Sequence, residues 1–247
     1  MTEFDSYTDS ILSAFNRNSH AQDVINKKNE IIIGVYDFYN LAPDSILFVG
    51  YNPAIIASTV GDIAVTEISS EAQKSLTDRG VKFRYIDYVD LHKYQKGFDV
   101  VVALDEYFTF AQSDAEQQHQ IKLFCSLARE FLISTLKDYK NQDYKDREYS
   151  QPVLVRSGLS KTTYIESHDW DLKDRASWKT AVYEIDQSIN ELTTHGPFSR
   201  RTMYFKQLAK FSLDSGASNF LVHKNLMYKS LVKRNYEHVI SITFDGI

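Results

Sequence analysis

Four acids at the ends of apolar runs, and one histidine, stand where chemistry could be done. The run Ile46-Leu47-Phe48-Val49 passes directly into Gly50-Tyr51-Asn52-Pro53-Ala54. That pattern fits a parallel strand buried on both faces and ending in a tight turn. A second short run, Asp62-Ile63-Ala64-Val65-Thr66, closes on Glu67. Glycine lets backbone approach a ligand, and an acid at the next strand tip can accept hydrogen bonds from both hydroxyls of a ribose. The two together suit a nucleoside-containing cofactor at the carboxyl ends of parallel strands. Asp87 closes a third run, with Asp90 three residues on as an alternative.

Asp105 and Glu106 close a fourth run. One of them could orient an acceptor hydroxyl or amine or take its proton. They could equally cap the next segment. His168, beside Asp169 and Trp170, is the histidine best placed to meet an acceptor, although lone histidines are more often structural. No nucleophile is expected: there is no Gly-x-Ser-x-Gly, and Cys125 lies in an apolar helical run that suits core packing. The seven histidines show neither His-x-His nor His-Glu-x-x-His spacing, so no metal site is expected.

The elements that must position these residues follow from periodicity. Phe4, Tyr7, Ile11, Leu12 and Phe15 recur at helical spacing, and a second helix is expected over residues 23–40, where Ile31–Tyr36 also fits a strand. Residues 1–43 are expected to form an N-terminal helical cover ahead of a domain over 44–247. Ser70-Glu71-Ala72-Gln73 and Ser113-Asp114-Ala115-Glu116 have the form of capping boxes, and Gly80 stops the first of those helices. Strands are expected at Val81–Ile86 and Phe98–Leu104. Ile121, Phe124, Ala128, Phe131 and Leu132 mark one face of the long helix from Ser113, and Pro152–Arg156 follows as a fifth strand. An insertion over about 158–195 holds a hairpin, Thr162–Glu166 with Trp178–Ile185. Gly196-Pro197 and Ser199 open a last helix before strands at Ser218–His223 and Val239–Phe244. The hairpin offers a pocket wall: Trp170, Trp178 and Tyr164 for apolar contact, with Glu166, His168 and Asp169 for polar orientation.

Composition bounds the partners. With 247 residues, 43% hydrophobic and 25% charged, the chain is an ordinary globular one, long enough for a sizeable core. A single cysteine and an N-terminus without the order of a signal peptide lead us to expect a cytoplasmic protein. No apolar run is long enough to span a membrane. Net charge is −5, but residues 196–247 hold eight bases against three acids. Solvated helix faces account for such asymmetry more often than an anionic partner does. Lys224–Tyr236 interleaves cations with tyrosines, a pattern compatible with RNA and equally with a segment joining two strands.

The run Phe98-Asp99-Val100-Val101-Val102, the spacing from Gly50 to Glu67 and the order of the later elements resemble the class I S-adenosylmethionine-dependent methyltransferases. The resemblance covers about residues 44–157 and 199–245. Gly50 matches the first glycine of that superfamily's first motif, Asn52 and Ala54 stand in place of the other two, and Phe48 replaces an acid often found in the strand. It implies an α/β fold, a Rossmann-like, mainly parallel seven-stranded sheet flanked by helices, here with a β-hairpin insertion after the fifth strand. It implies S-adenosylmethionine as cofactor, held by Gly50, Tyr51, Asn52, Glu67, Asp87 and Leu104. Asp87 stands where the family contacts the adenine amino group, and Asp105 where its fourth motif meets methyl donor and acceptor. The activity implied is methyl transfer to oxygen or nitrogen of a small molecule. RNA as acceptor and a non-catalytic binding module are the alternatives. The fourth strand lacks the Pro-Pro-aromatic turn of enzymes that methylate amino groups of nucleobases.

Overall fold

The computed structural model describes residues 2–17, 19–51, 61–141, 147–150, 152–157, 160–171, 173, 176–229 and 236–244. Two helices, α1 (Glu3–Arg17) and α2 (Ser19–Tyr39), precede β1 (Ser45–Val49) and β2 (Asp62–Thr66). Then come α3 (Ser70–Asp78), β3 (Arg84–Tyr85), β4 (Phe98–Ala103), α4 (Asp114–Leu127) and β5 (Ala128–Leu136). Ile31–Tyr36 is helical: Ile31, Ile32 and Val35 are fully buried on one side of α2, the stripe that helical spacing produces.

The main sheet has seven strands in the order β3-β2-β1-β4-β5-β12-β11, where β11 is Asn219–Lys229 and β12 is Tyr236–Thr243. The first five are parallel, and β12 runs antiparallel to both β5 and β11. All six residues of β4 are buried, as a central parallel strand covered on both faces requires. Alternate side chains divide the core in two. Leu47, Val49, Val101 and Ala103 pack with α1, α4 and the inserted sheet; Ile46, Phe48, Val100 and Val102 pack with α2 and α3.

Several boundaries differ from the sequence expectations. The long helix ends at Leu127, and Ala128–Leu136 is the fifth strand, paired with β4 and β12. No glycine or proline marks that junction; Phe131–Ile133 and Leu136 are apolar, Ser134 and Thr135 are buried with them, and burial between two strands decides the segment against helical continuation. Val153–Ser157 (β7) therefore belongs to the insertion. There the hairpin β8 (Ser160–Trp170) and β9 (Ser177–Asp186) is joined by β6 (Arg147–Tyr149), β7 and β10 (Glu191–Arg201) into a five-stranded antiparallel sheet. β10 replaces the helix start expected at Gly196-Pro197. The proline is tolerated because the strand is an edge, and its register shifts between His195 and Phe198. The last helix, α5, is Phe205–Asp214. β3 is two residues long, shorter than the alternation of Val81–Ile86 suggested, and Ser69, one residue early, caps α3 by accepting from the Ala72 N–H.

Candidate active site

Gly50 ends β1 at φ +77, a conformation that side chains rarely adopt, and its N–H donates to the Thr66 carbonyl at 2.8 Å. The face left open by its missing Cβ is covered by the ring of Phe4 from α1; a Cβ there would collide with Phe4 Cε1. Tyr51 is buried, its hydroxyl 3.4 Å from Ser75 Oγ on α3. Asn52 and Ala54 lie outside the described residues. Glu67 stands just past the tip of β2, 5% exposed, and lines a cavity of about 290 Å³ with Phe4, Tyr88, Tyr107, Phe110 and Gln120. Burial pushes its carboxyl up to about 7, against a hydrogen bond from the Tyr107 hydroxyl that acts the other way, with Asp5 and Glu116 adding repulsion. Gly50, Glu67 and the aromatic turn after β4 are thus gathered at one end of the sheet, under α1.

Asp87 is exposed and caps the turn Tyr88–Lys93 by accepting from the Val89 N–H at 3.2 Å; its neighbour Tyr88, not Asp87, lines the cavity. Asp90 pairs with Lys93 on the surface. Leu104 is buried in the core on the α2 side.

Asp105 and Glu106 have φ of +58 and +57 in succession, and they face different neighbours. Asp105 binds the fully buried Lys28 of α2, both carboxylate oxygens 2.7 Å from Nζ. Glu106 is also fully buried and meets the Tyr139 hydroxyl, Lys137 Nζ at 3.3 Å and Arg200 Nη2 at 3.6 Å. A carboxylate at such depth needs charged and hydrogen-bonding partners, and three side chains, two from the segment after β5 and one from β10, supply them. In these positions the acids hold the strand end in place rather than presenting a free carboxylate.

On the inner face of the inserted sheet Glu166 and His168 are two residues apart on β8 and point the same way. His168 Nε2 is 2.7 Å from Glu166 Oε1, and the Tyr7 hydroxyl of α1 donates to Glu166 Oε2 at 3.3 Å. Farther along the face Trp170 and Trp178 stack 4.5 Å apart, and Tyr164 donates to Glu184 at 2.9 Å. Asp169 alternates to a more exposed position and pairs with Arg147 at 2.5 Å. Lys28, Tyr107 and Arg200 went unnoticed in the sequence. Nothing in a helical lysine announces burial, and Tyr107 and Arg200 act across 40 and 94 residues, on Glu67 and Glu106.

No protein-family model matches the sequence, and no curated protein matches it. Solved structures do resemble it. The CcbJ methyltransferase of Streptomyces caelestis aligns over 89% of this chain and 95% of its own, with a TM-score of 0.62 at 10% identity. DesVI of Streptomyces venezuelae aligns over 92% and 97%, with a TM-score of 0.61 at 11% identity. CalS10 of Micromonospora echinaspora, an amino pentose methyltransferase determined with S-adenosylmethionine bound, aligns over 90% and 89%, with a TM-score of 0.59 at 12% identity. With its strand order, the antiparallel β12 and the glycine-ended β1, the chain has the fold of the class I S-adenosylmethionine-dependent methyltransferases. Among the described residues no helix is long and apolar enough to cross a membrane.

Proposed function

We propose that this protein is an S-adenosylmethionine-dependent methyltransferase acting on a nitrogen or oxygen of a small molecule. The observation that carries the proposal is the aromatic-walled space under α1, lined by Glu67 past the tip of β2 and by Phe4, whose ring covers Gly50 at the end of the adjacent parallel strand β1. Ligands of open α/β sheets bind there. The residues present fit an adenosyl group. Glu67 offers a buried acceptor for ribose hydroxyls, and Tyr88, Tyr107 and Phe110 offer flat apolar surface. Because the Phe4 ring covers Gly50, the first turn of α1 is the element that shifts when the cleft fills.

When bound, the cofactor supplies a methyl group on a positively charged sulfur, an electrophile that needs positioning more than activation. His168 does not itself line the cavity at Glu67; held by Glu166, to which the Tyr7 hydroxyl of α1 also donates, it is the group we assign to take a proton from the acceptor atom. A small-molecule acceptor agrees with two of the structural neighbours, an amino pentose methyltransferase and a sugar N-methyltransferase. Isothermal titration with S-adenosylmethionine and with its demethylated product tests the proposal. Saturable binding of either is expected; folded protein giving no heat with both would remove it.

A further inference from the structure

A second cavity, of about 470 Å³, opens between the end of the inserted sheet and the turn after β4. The stacked Trp170 and Trp178 form part of its wall, and Arg200, 2% exposed, lines it beside them. Arg200 is held firmly: Nε donates to Thr109 Oγ1 at 2.8 Å, and the guanidinium lies 3.8 Å from the centre of the Phe110 ring and 5.3 Å from that of Trp178. Its hydrogen bonding is nonetheless incomplete. Nη2 is buried without a hydrogen-bond partner, its ion-pair contact with Glu106 is a long 3.6 Å, and that carboxylate is already engaged by Tyr139 and Lys137.

The remaining charges at the cavity are mostly matched. Arg201 pairs with Asp114 and Asp169 with Arg147, while Asp171 accepts from the Lys173 N–H. Lys179, exposed at the rim, adds a further cation.

We propose that this cavity binds an anionic oxygen group, a carboxylate or a phosphate, with Arg200 as its principal donor and Lys179 at the rim. Nη2, buried without a hydrogen-bond partner, recovers its desolvation cost only by meeting an acceptor, and the charged oxygen of a carboxylate or phosphate is the strongest one for a guanidinium. The tryptophans give the ligand's body an apolar wall. Gln112 lines both this cavity and the one at Glu67, so a molecule anchored at Arg200 would extend toward the proposed donor side. That the anion belongs to the methyl acceptor rests on the function proposed above; the anion site itself does not.

The chain has two tryptophans, and both stand in this wall, so their emission reports on the cavity directly. Titration with inorganic phosphate, and separately with acetate, at ionic strength held constant with chloride should give a saturable change for at least one. The one that saturates tells phosphate from carboxylate. Arg200→Gln should weaken that binding roughly tenfold or more, the loss expected for a charge-assisted hydrogen bond, and Arg200→Lys should retain part of it. Should Arg200→Gln not fold, Lys179→Gln on the exposed rim carries the test, with weaker binding expected on a normally folded protein. No saturable change with either anion, an equal change with chloride alone, or unaltered binding in the folded variants overturns the proposal. Anion binding without any cofactor binding would uphold this site and remove the methyltransferase reading; cofactor binding without anion binding would do the reverse.

Discussion

Tyr107 donates its hydroxyl to the carboxylate of Glu67, joining the turn after β4 to the tip of β2 inside the cleft wall. Burial raises both groups: Glu67 to about 7, and Tyr107 well above its usual value. The folded chain therefore keeps a proton on Glu67 that the unfolded chain has lost. Such a group contributes its stability fully below about pH 4.5, and the contribution is lost as pH rises through about 7. The span corresponds to at most on the order of 3 kcal/mol. Urea denaturation at several pH values should show Glu67→Gln losing less stability than the parent across this window. An identical pH dependence in both proteins would count against the burial argument.

Cofactor affinity should follow the same group with the opposite sign. Ribose hydroxyls donate to an ionised carboxylate, so binding of the demethylated product should strengthen as pH rises toward and past about 7. The gain should approach roughly tenfold per unit below that value. Glu67→Gln should flatten the dependence, and Glu67→Ala should cost about 1–3 kcal/mol of binding. Calorimetry across the range decides both.

Phe4 against Gly50 sets a second test. Gly50→Ala meets two obstacles, the left-handed backbone and the Phe4 ring. We expect a loss of about 2–3 kcal/mol, of which only about 1 kcal/mol, the backbone part, persists when Phe4 is already alanine. Chemical denaturation of the two single variants and the double variant yields the coupling. Additive losses would mean that the ring does not press on the glycine.

Lys28 and Asp105 form an ion pair whose lysine is fully buried. Truncating the acid alone leaves that ammonium in a poor environment, and Asp105→Ala should cost about 3–5 kcal/mol. Lys28→Met combined with Asp105→Leu should recover most of it. If the double variant is as unstable as the acid variant, the pair does more than neutralise charge.

His168→Ala should leave cofactor affinity nearly unchanged while methyl transfer falls tenfold or more, on the order of 1.4 kcal/mol of lost transition-state binding. Glu166→Gln, which keeps the shape and alters the partner of Nε2, should shift the pH profile of the rate. An unchanged rate in both variants would return His168 to a structural role.

Local pattern carried much of this architecture. The strands at Ile46–Val49, Ile63–Thr66 and Phe98–Ala103 were legible because strands buried on both faces are unbroken apolar runs, and Gly50 and Glu67 were legible because turns need particular residues. The Ser113 cap was legible too, as its hydroxyl accepts from the Glu116 N–H within one turn. The end of α4 was not, because Phe131–Leu136 can serve a helix or a strand equally well. Only its partners β4 and β12, more than 20 residues away on one side and 100 on the other, make it a strand. The five-stranded extent of the insertion was hidden for the same reason, since β6, β7 and β10 gain their hydrogen bonds from β8 and β9 rather than from neighbours in sequence. The charges were least legible of all. Asp105 and Glu106 are adjacent acids in the sequence, yet the chain turns between them so that one meets Lys28 and the other Lys137 and Arg200. Burial and long-range partners set the state of an ionisable group, and neither is written in the residues beside it.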